Sequence, residues 1–134
     1  MMVRRSMALA LLAVPLLAGC AETRSGIRPS AAVTTTIMGW ENWFRLDWTA
    51  QTRPDGTDID GYVVSQKGAP MQNVQVLAQG LDAAGNVVGN RIAAVDGVVP
   101  GNQRAYFRLG NLPRADRYRV SVWTFDPLES KGFP

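Results

Sequence analysis

The sequence predicts an all-β domain, a small antiparallel sandwich or barrel. Three observations lead there. Short stretches of alternating apolar and polar residues recur from about residue 37 onward. Clusters of Gly, Pro and Asn separate them at the spacing of strands and turns. No stretch sustains the apolar spacing of three and four that a long amphipathic helix needs.

Six strands can be placed in order. The first spans about Trp43 to Gln51, where Phe44, Leu46 and Trp48 alternate with Arg45, Asp47 and Thr49. Such alternation marks a strand with one buried face, so Phe44 and Trp48 are expected in the core. A turn follows at Thr52-Arg53-Pro54-Asp55-Gly56-Thr57, because Pro presets φ and Gly tolerates the left-handed region. The second strand covers about Ile59 to Gln66 and stops at Lys67-Gly68-Ala69-Pro70. The third covers about Asn73 to Leu81, with Val74, Val76 and Ala78 on one face. Asp82-Ala83-Ala84-Gly85-Asn86 reads as a hairpin loop in which Gly85 or Asn86 takes positive φ. The fourth strand is about Val87 to Ala94 and the fifth about Arg104 to Leu109. Gly110-Asn111-Leu112-Pro113 is expected to turn the chain. The sixth strand is about Arg117 to Phe125, with Tyr118, Val120 and Val122 on one face and Trp123 and Phe125 on the other.

The first 20 residues have a different character. Met1 to Arg5 carries positive charge, Met7 to Leu17 is an apolar run, and Ala18-Gly19-Cys20 closes it. This is the three-part pattern of an export signal. The apolar run is shorter than the ~20 residues that span a bilayer. Leu17-Ala18-Gly19-Cys20 resembles the bacterial lipobox. That resemblance implies cleavage between Gly19 and Cys20 by signal peptidase II, a diacylglycerol group on the Cys20 sulfur, and a fatty acid such as palmitate on the new amino terminus. Stable anchoring takes more than one acyl chain, and this chemistry supplies two or three. Ala21, in place of aspartate, implies sorting to the outer membrane, facing the periplasm. Three parts are therefore expected: a cleaved signal peptide at 1–19, the lipidated cysteine with a flexible stalk at 20–36, and the β-domain at 37–134.

Charge adds a constraint. The chain carries +3 overall, but Arg4 and Arg5 lie in the leader. The remaining 12 basic residues nearly balance 11 acidic ones. Nucleic-acid binding needs a clustered positive surface, so it is not expected. Arg114, Arg117 and Arg119, interrupted by Asp116, read as a solvated strand face.

The sequence contains no histidine, and its single cysteine is the lipobox residue. The commonest general base and the usual partner of a Ser or Cys nucleophile are therefore missing. Nor is there a glycine-rich phosphate loop. An enzyme is not expected, and no cofactor is. Asp55, Asp58 and Asp60 form a weak candidate for Ca²⁺, a hard cation that prefers oxygen ligands; a polar turn is the alternative. Trp40 and Trp43 are candidates for contact with a ligand or partner, since indoles stack on sugar rings and pack on amphipathic surfaces. Covering one end of the sandwich is their other reading.

The middle of the chain resembles the immunoglobulin-like FxLYD domains of bacterial envelope proteins. The residues that carry the resemblance are Ile59-Asp60-Gly61-Tyr62-Val63, Asn73-Val74-Gln75-Val76, Leu81-Asp82-Ala83-Ala84-Gly85-Asn86-Val87-Val88, and Val99-Pro100-Gly101 before Tyr106-Phe107. Gly80 and Leu81 stand where the family's Leu-Tyr pair would begin. The resemblance implies an immunoglobulin-like sandwich and a non-enzymatic role, and it transfers no site residue. The expected function is a lipid-anchored interaction or scaffold module with an envelope protein as partner. The alternatives are a module for glycan, peptidoglycan or a small ligand, and a hydrolase built on carboxylates.

Overall fold

A computed structural model of the chain describes residues 26–128. The leader, Gly19, Cys20 and the last six residues lie outside the described residues. A single 3-10 turn, Trp40–Asn42, precedes six strands: β1 Phe44–Arg53, β2 Gly56–Ser65, β3 Met71–Leu81, β4 Val87–Ala94, β5 Arg104–Leu112 and β6 Arg117–Pro127. They form two three-stranded sheets, ordered β1-β2-β5 and β4-β3-β6, with every pairing antiparallel. The fold is the expected all-β sandwich.

The connectivity matches an immunoglobulin-type Greek key, in which successive hairpins sit in opposite sheets. A second feature agrees. Tyr118, near the start of β6, donates its hydroxyl to the carbonyl of Pro113 at 2.7 Å and accepts from the Thr57 hydroxyl at 2.8 Å. This is the tyrosine corner of such sandwiches. It ties the approach to β6 onto the opposite sheet.

The core lies between the sheets. Phe44, Ile59, Val63, Phe107, Leu109 and Leu112 from one sheet meet Met71, Val74, Val76, Ala78, Val122 and Phe125 from the other. The alternation along β1 and β3 is as expected: Phe44 is buried, Trp48 packs partly buried against the core, and Val74, Val76 and Ala78 share the inward face. The β1–β2 turn is tighter than the sequence suggests, with Arg53 paired directly to Gly56 around Pro54-Asp55. The β3–β4 loop behaves as expected, with Gly85 at φ 89°.

Bulges account for the differences. Gly110-Asn111-Leu112 does not turn the chain; β5 runs on to Leu112. An extra residue of β5 sits opposite the Thr57–Ile59 step of β2, and Asn111 takes φ 59° there. Asparagine is one of the few side chains that tolerate the left-handed region. The β3–β6 ladder holds two offsetting bulges. Asn73, at φ 53°, is the extra residue on β3 between Gln72 and Gln75. One step later β6 gains an extra residue between Val122 and Thr124, which restores the register. That second bulge changes the facing of β6. Phe125 joins Val122 in the core, whereas Trp123 is 1 % exposed yet lies outside the core cluster. Strict alternation across Trp123 and Phe125 cannot anticipate this.

Trp123 owes its burial to the N-terminal segment. Residues 30–37 cross the outer face of β4-β3-β6 and reach the free edge of β6. The Ser30 carbonyl accepts from Gln79 Nε2 at 2.9 Å, and the Ala31 carbonyl from Arg119 Nη2 at 3.2 Å. The Thr34 carbonyl accepts from Ser121 Oγ. The Thr36 amide donates to the Trp123 carbonyl at 2.8 Å. Leu77, Gln79 and Trp123 are thereby removed from water on the outside of the sandwich. Part of the stretch read as a flexible stalk is therefore a strap bonded to the domain. Arg119 is not a solvated strand residue either, because its guanidinium holds Gln79 Oε1 at 2.7 and 3.0 Å.

Candidate functional site

The residues singled out in the sequence do not converge. Asp58 is buried, at 7 % exposure. Its Oδ1 accepts from Arg53 Nη2 and from the Asn111 amide, both at 3.1 Å, and its Oδ2 from Arg108 Nη2 at 3.0 Å. The Asn111 and Arg108 contacts close the β5 bulge onto the β1–β2 hairpin, and the Arg53 contact joins the hairpin's two strands. Asp55 is exposed at the turn and reaches only Arg53, at 3.9 Å. Asp60 accepts from the Tyr106 hydroxyl at 3.3 Å. Arginine and backbone donors thus occupy both oxygens of Asp58. Among the described residues, no group of three or more acidic, Cys or His side chains is arranged to hold a metal ion. Asp58 instead centres an ion-pair cluster with Arg53 and Arg108.

The tryptophans also separate. Trp40 is half-buried and packs against the core. Trp43 is 36 % exposed, lies 6.2 Å from the Phe125 ring and carries the Lys67 ammonium 5.7 Å from its own ring. It covers the end of the sandwich where β1 approaches β6.

A different surface has the organisation of a site. On the outer face of β1-β2-β5 the register aligns side chains in cross-strand rows. Arg45, Val64 and Arg104 form one row, Asp47, Tyr62 and Tyr106 the next, and Thr49, Asp60 and Arg108 the third. Side chains directly opposite on neighbouring strands come close enough to interact. The Tyr62 and Tyr106 rings meet edge to face at 5.9 Å. The Arg104 guanidinium lies 4.2 Å from the Tyr62 ring centre, a cation–π contact. Arg45 pairs with Asp47 at 3.2 Å on the exposed strand surface. Leu46, Asp47, Trp48, Thr49, Asp60, Gly61, Tyr62 and Tyr106 line an open groove of about 600 Å³ here.

Gly61 shapes that groove. A Cβ at this position would land on the Asp47 carbonyl oxygen and lie 2.6 Å from the Trp48 Cα. Only glycine lets β1 close over β2 at this level, and Trp48 consequently contributes to the groove wall. The sequence holds a signal for the tyrosines: Tyr62 and Tyr106 alternate outward beside inward Val63 and Phe107. Outward aromatics on a strand are unusual enough to notice. Their pairing could not be read, because it depends on the β2–β5 register.

No protein-family model, curated protein or solved structure matches this chain. The fold and the groove therefore define it only as an immunoglobulin-type sandwich with one exposed aromatic face.

Proposed function

We propose that this chain is a lipid-anchored, non-catalytic binding module of the bacterial cell envelope, attached through Cys20 and facing the periplasm. The observation that carries this reading is an asymmetry between the two sheets. The outer face of β4-β3-β6 is covered by the N-terminal strap. The outer face of β1-β2-β5 is open and carries the Tyr62–Tyr106–Arg104 cluster. The strap and the open aromatic face therefore occupy opposite sides of the sandwich. The lipobox-like Leu17-Ala18-Gly19-Cys20 and the likeness to FxLYD domains support the same reading. So does the lack of histidine, together with the capture of Asp58 by two arginines.

Metabolic labelling with a palmitate analogue, followed by membrane fractionation, tests the anchor. The wild-type chain is expected to take up label and sediment with membranes. Cys20→Ala is expected to lose the label and either leave the membrane or accumulate uncleaved. Labelled, membrane-bound Cys20→Ala would refute the reading.

A further inference from the structure

We propose that the groove on the β1-β2-β5 face is a saccharide site, built to take a pyranose ring of a neutral or N-acetylated polysaccharide against Tyr106, with Tyr62 and Arg104 bracing it from the side. The inference rests on the binding-module reading and names the class of ligand.

A pyranose ring has a flat C–H face and a rim of hydroxyls, each of which donates and accepts. Its receptor needs a fixed aromatic surface bordered by both kinds of polar group. The groove supplies the aromatic surface. Tyr106, midway along the edge strand β5, is 51 % exposed, and its hydroxyl donates to Asp60 at 3.3 Å. Tyr62 is held on both sides, by the Tyr106 edge and the Arg104 guanidinium. Both rings are oriented before any ligand arrives, so binding spends little on immobilising them.

The border supplies the polar groups. Asp47 and Asp60 present acceptor oxygens, Thr49 a hydroxyl that does both, and Arg45 and Arg104 an excess of N–H donors. These charges are balanced locally: Asp47 faces Arg45, and Arg108 is engaged by the buried Asp58. The surface therefore places no strong demand for an ionic ligand. Val64 is the one aliphatic side chain among the outward rows named above, and Leu46 is the one that lines the groove. A protein interface is organised around a desolvated apolar centre ringed by polar contacts, and here charged groups share the centre with the aromatics. The groove is also open along the sheet, which suits a chain passing over it better than a small molecule enclosed within it.

The test uses the full chain in detergent, titrated separately with a β-1,4-linked N-acetylglucosamine tetramer and a β-1,4-linked glucose tetramer. Calorimetry reads binding. Saturable binding of at least one tetramer is expected. Tyr106→Ala is expected to weaken it at least tenfold with an unchanged circular dichroism spectrum and melting temperature. Trp43→Phe, outside the groove lining and against Phe125, should leave it unchanged. Binding that survives both Tyr106→Ala and Tyr62→Ala would overturn the site. If neither tetramer binds, the saccharide assignment falls. A photo-crosslinking residue at position 106 in cells then separates the two readings. Capture of a protein there overturns the saccharide alone, and capture of nothing overturns the binding module as well.

Discussion

Replacing Asp58 by alanine separates a structural carboxylate from a ligand-binding one. The Asn111 amide would lose its acceptor within the β5 bulge, where the carboxylate that serves it is 7 % exposed. An unsatisfied buried N–H costs about 1–2 kcal/mol. Arg53 and Arg108 would lose their partner too, but their side chains are 45 % and 56 % exposed and can be rehydrated. Solvent screening holds each of those pairs to roughly 0.5 kcal/mol. The total is about 2–3 kcal/mol, which for a domain of this size lowers the melting temperature by roughly 10–20 °C. Asp58→Asn keeps an oxygen for the Asn111 amide and should recover about half of that loss. Urea denaturation of the two variants, with and without 5 mM calcium chloride (a working concentration on the order of that needed to fill a weak extracellular-type site), measures both effects. Calcium should leave every midpoint unchanged. An Asp58→Ala variant within about 0.5 kcal/mol of wild type, the range of ordinary surface substitutions, would refute the bulge-closing role. A calcium-dependent rise in wild-type stability that Asp58→Ala removes would restore the metal reading.

Two further outcomes follow from the strap and the β3–β4 turn. Deleting the chain before Ile37 should expose Trp123, shift tryptophan emission to the red and cost about 2–4 kcal/mol in a thermal or chemical melt, the scale of losing a large buried side chain's packing; an unchanged spectrum would mean that the strap does not cover Trp123. Asp82 accepts from the Asn86 amide at 2.8 Å and from the Ala84 amide at 2.9 Å. The Asn86 contact is the leading cause that holds its carboxyl below the ordinary value of 3.8. Because the folded-state pKa is depressed, the turn's stabilisation is present above the ordinary carboxylate range and is lost as pH falls through the lower folded value. Amide shifts of Ala84 and Asn86 followed by NMR should therefore move with a midpoint below 3.8, and a midpoint at or above that value would contradict the geometry.

Much of the fold was legible because strand alternation and turn chemistry are local. Phe44, Leu46 and Trp48 announce β1, and the Asp82–Asn86 loop announces its hairpin, from neighbours in sequence alone. The places where the reading failed share one cause. Asn111 and Asn73 tolerate positive φ, so the strands absorb an extra residue there instead of ending or keeping parity. Whether such a residue becomes a turn or a bulge depends on the partner strand, and the partner is distant in sequence. The candidate site was missed for a related reason. Tyr62 and Tyr106 are 44 positions apart and become neighbours only through the β2–β5 register. Asp58 and Asp60 looked equivalent, but the bulge opposite Asp58 brings it an amide and two arginines.

By itself the sequence determined the fold class, the order of the strands and the near balance of charge from residue 20 onward. These are properties of composition and of short windows, where period and charge act directly. Only the tertiary structure decided which sheet faces water. It laid residues 30–37 over Leu77, Gln79 and Trp123 and left Tyr106 exposed and Tyr62 half-buried on the other side. The reason is that a strand has two faces and a strap can cover one of them. The choice is made by hydrogen bonds such as Gln79 to Ser30 and Arg119 to Ala31, across 49 and 88 positions of chain, which no local pattern encodes.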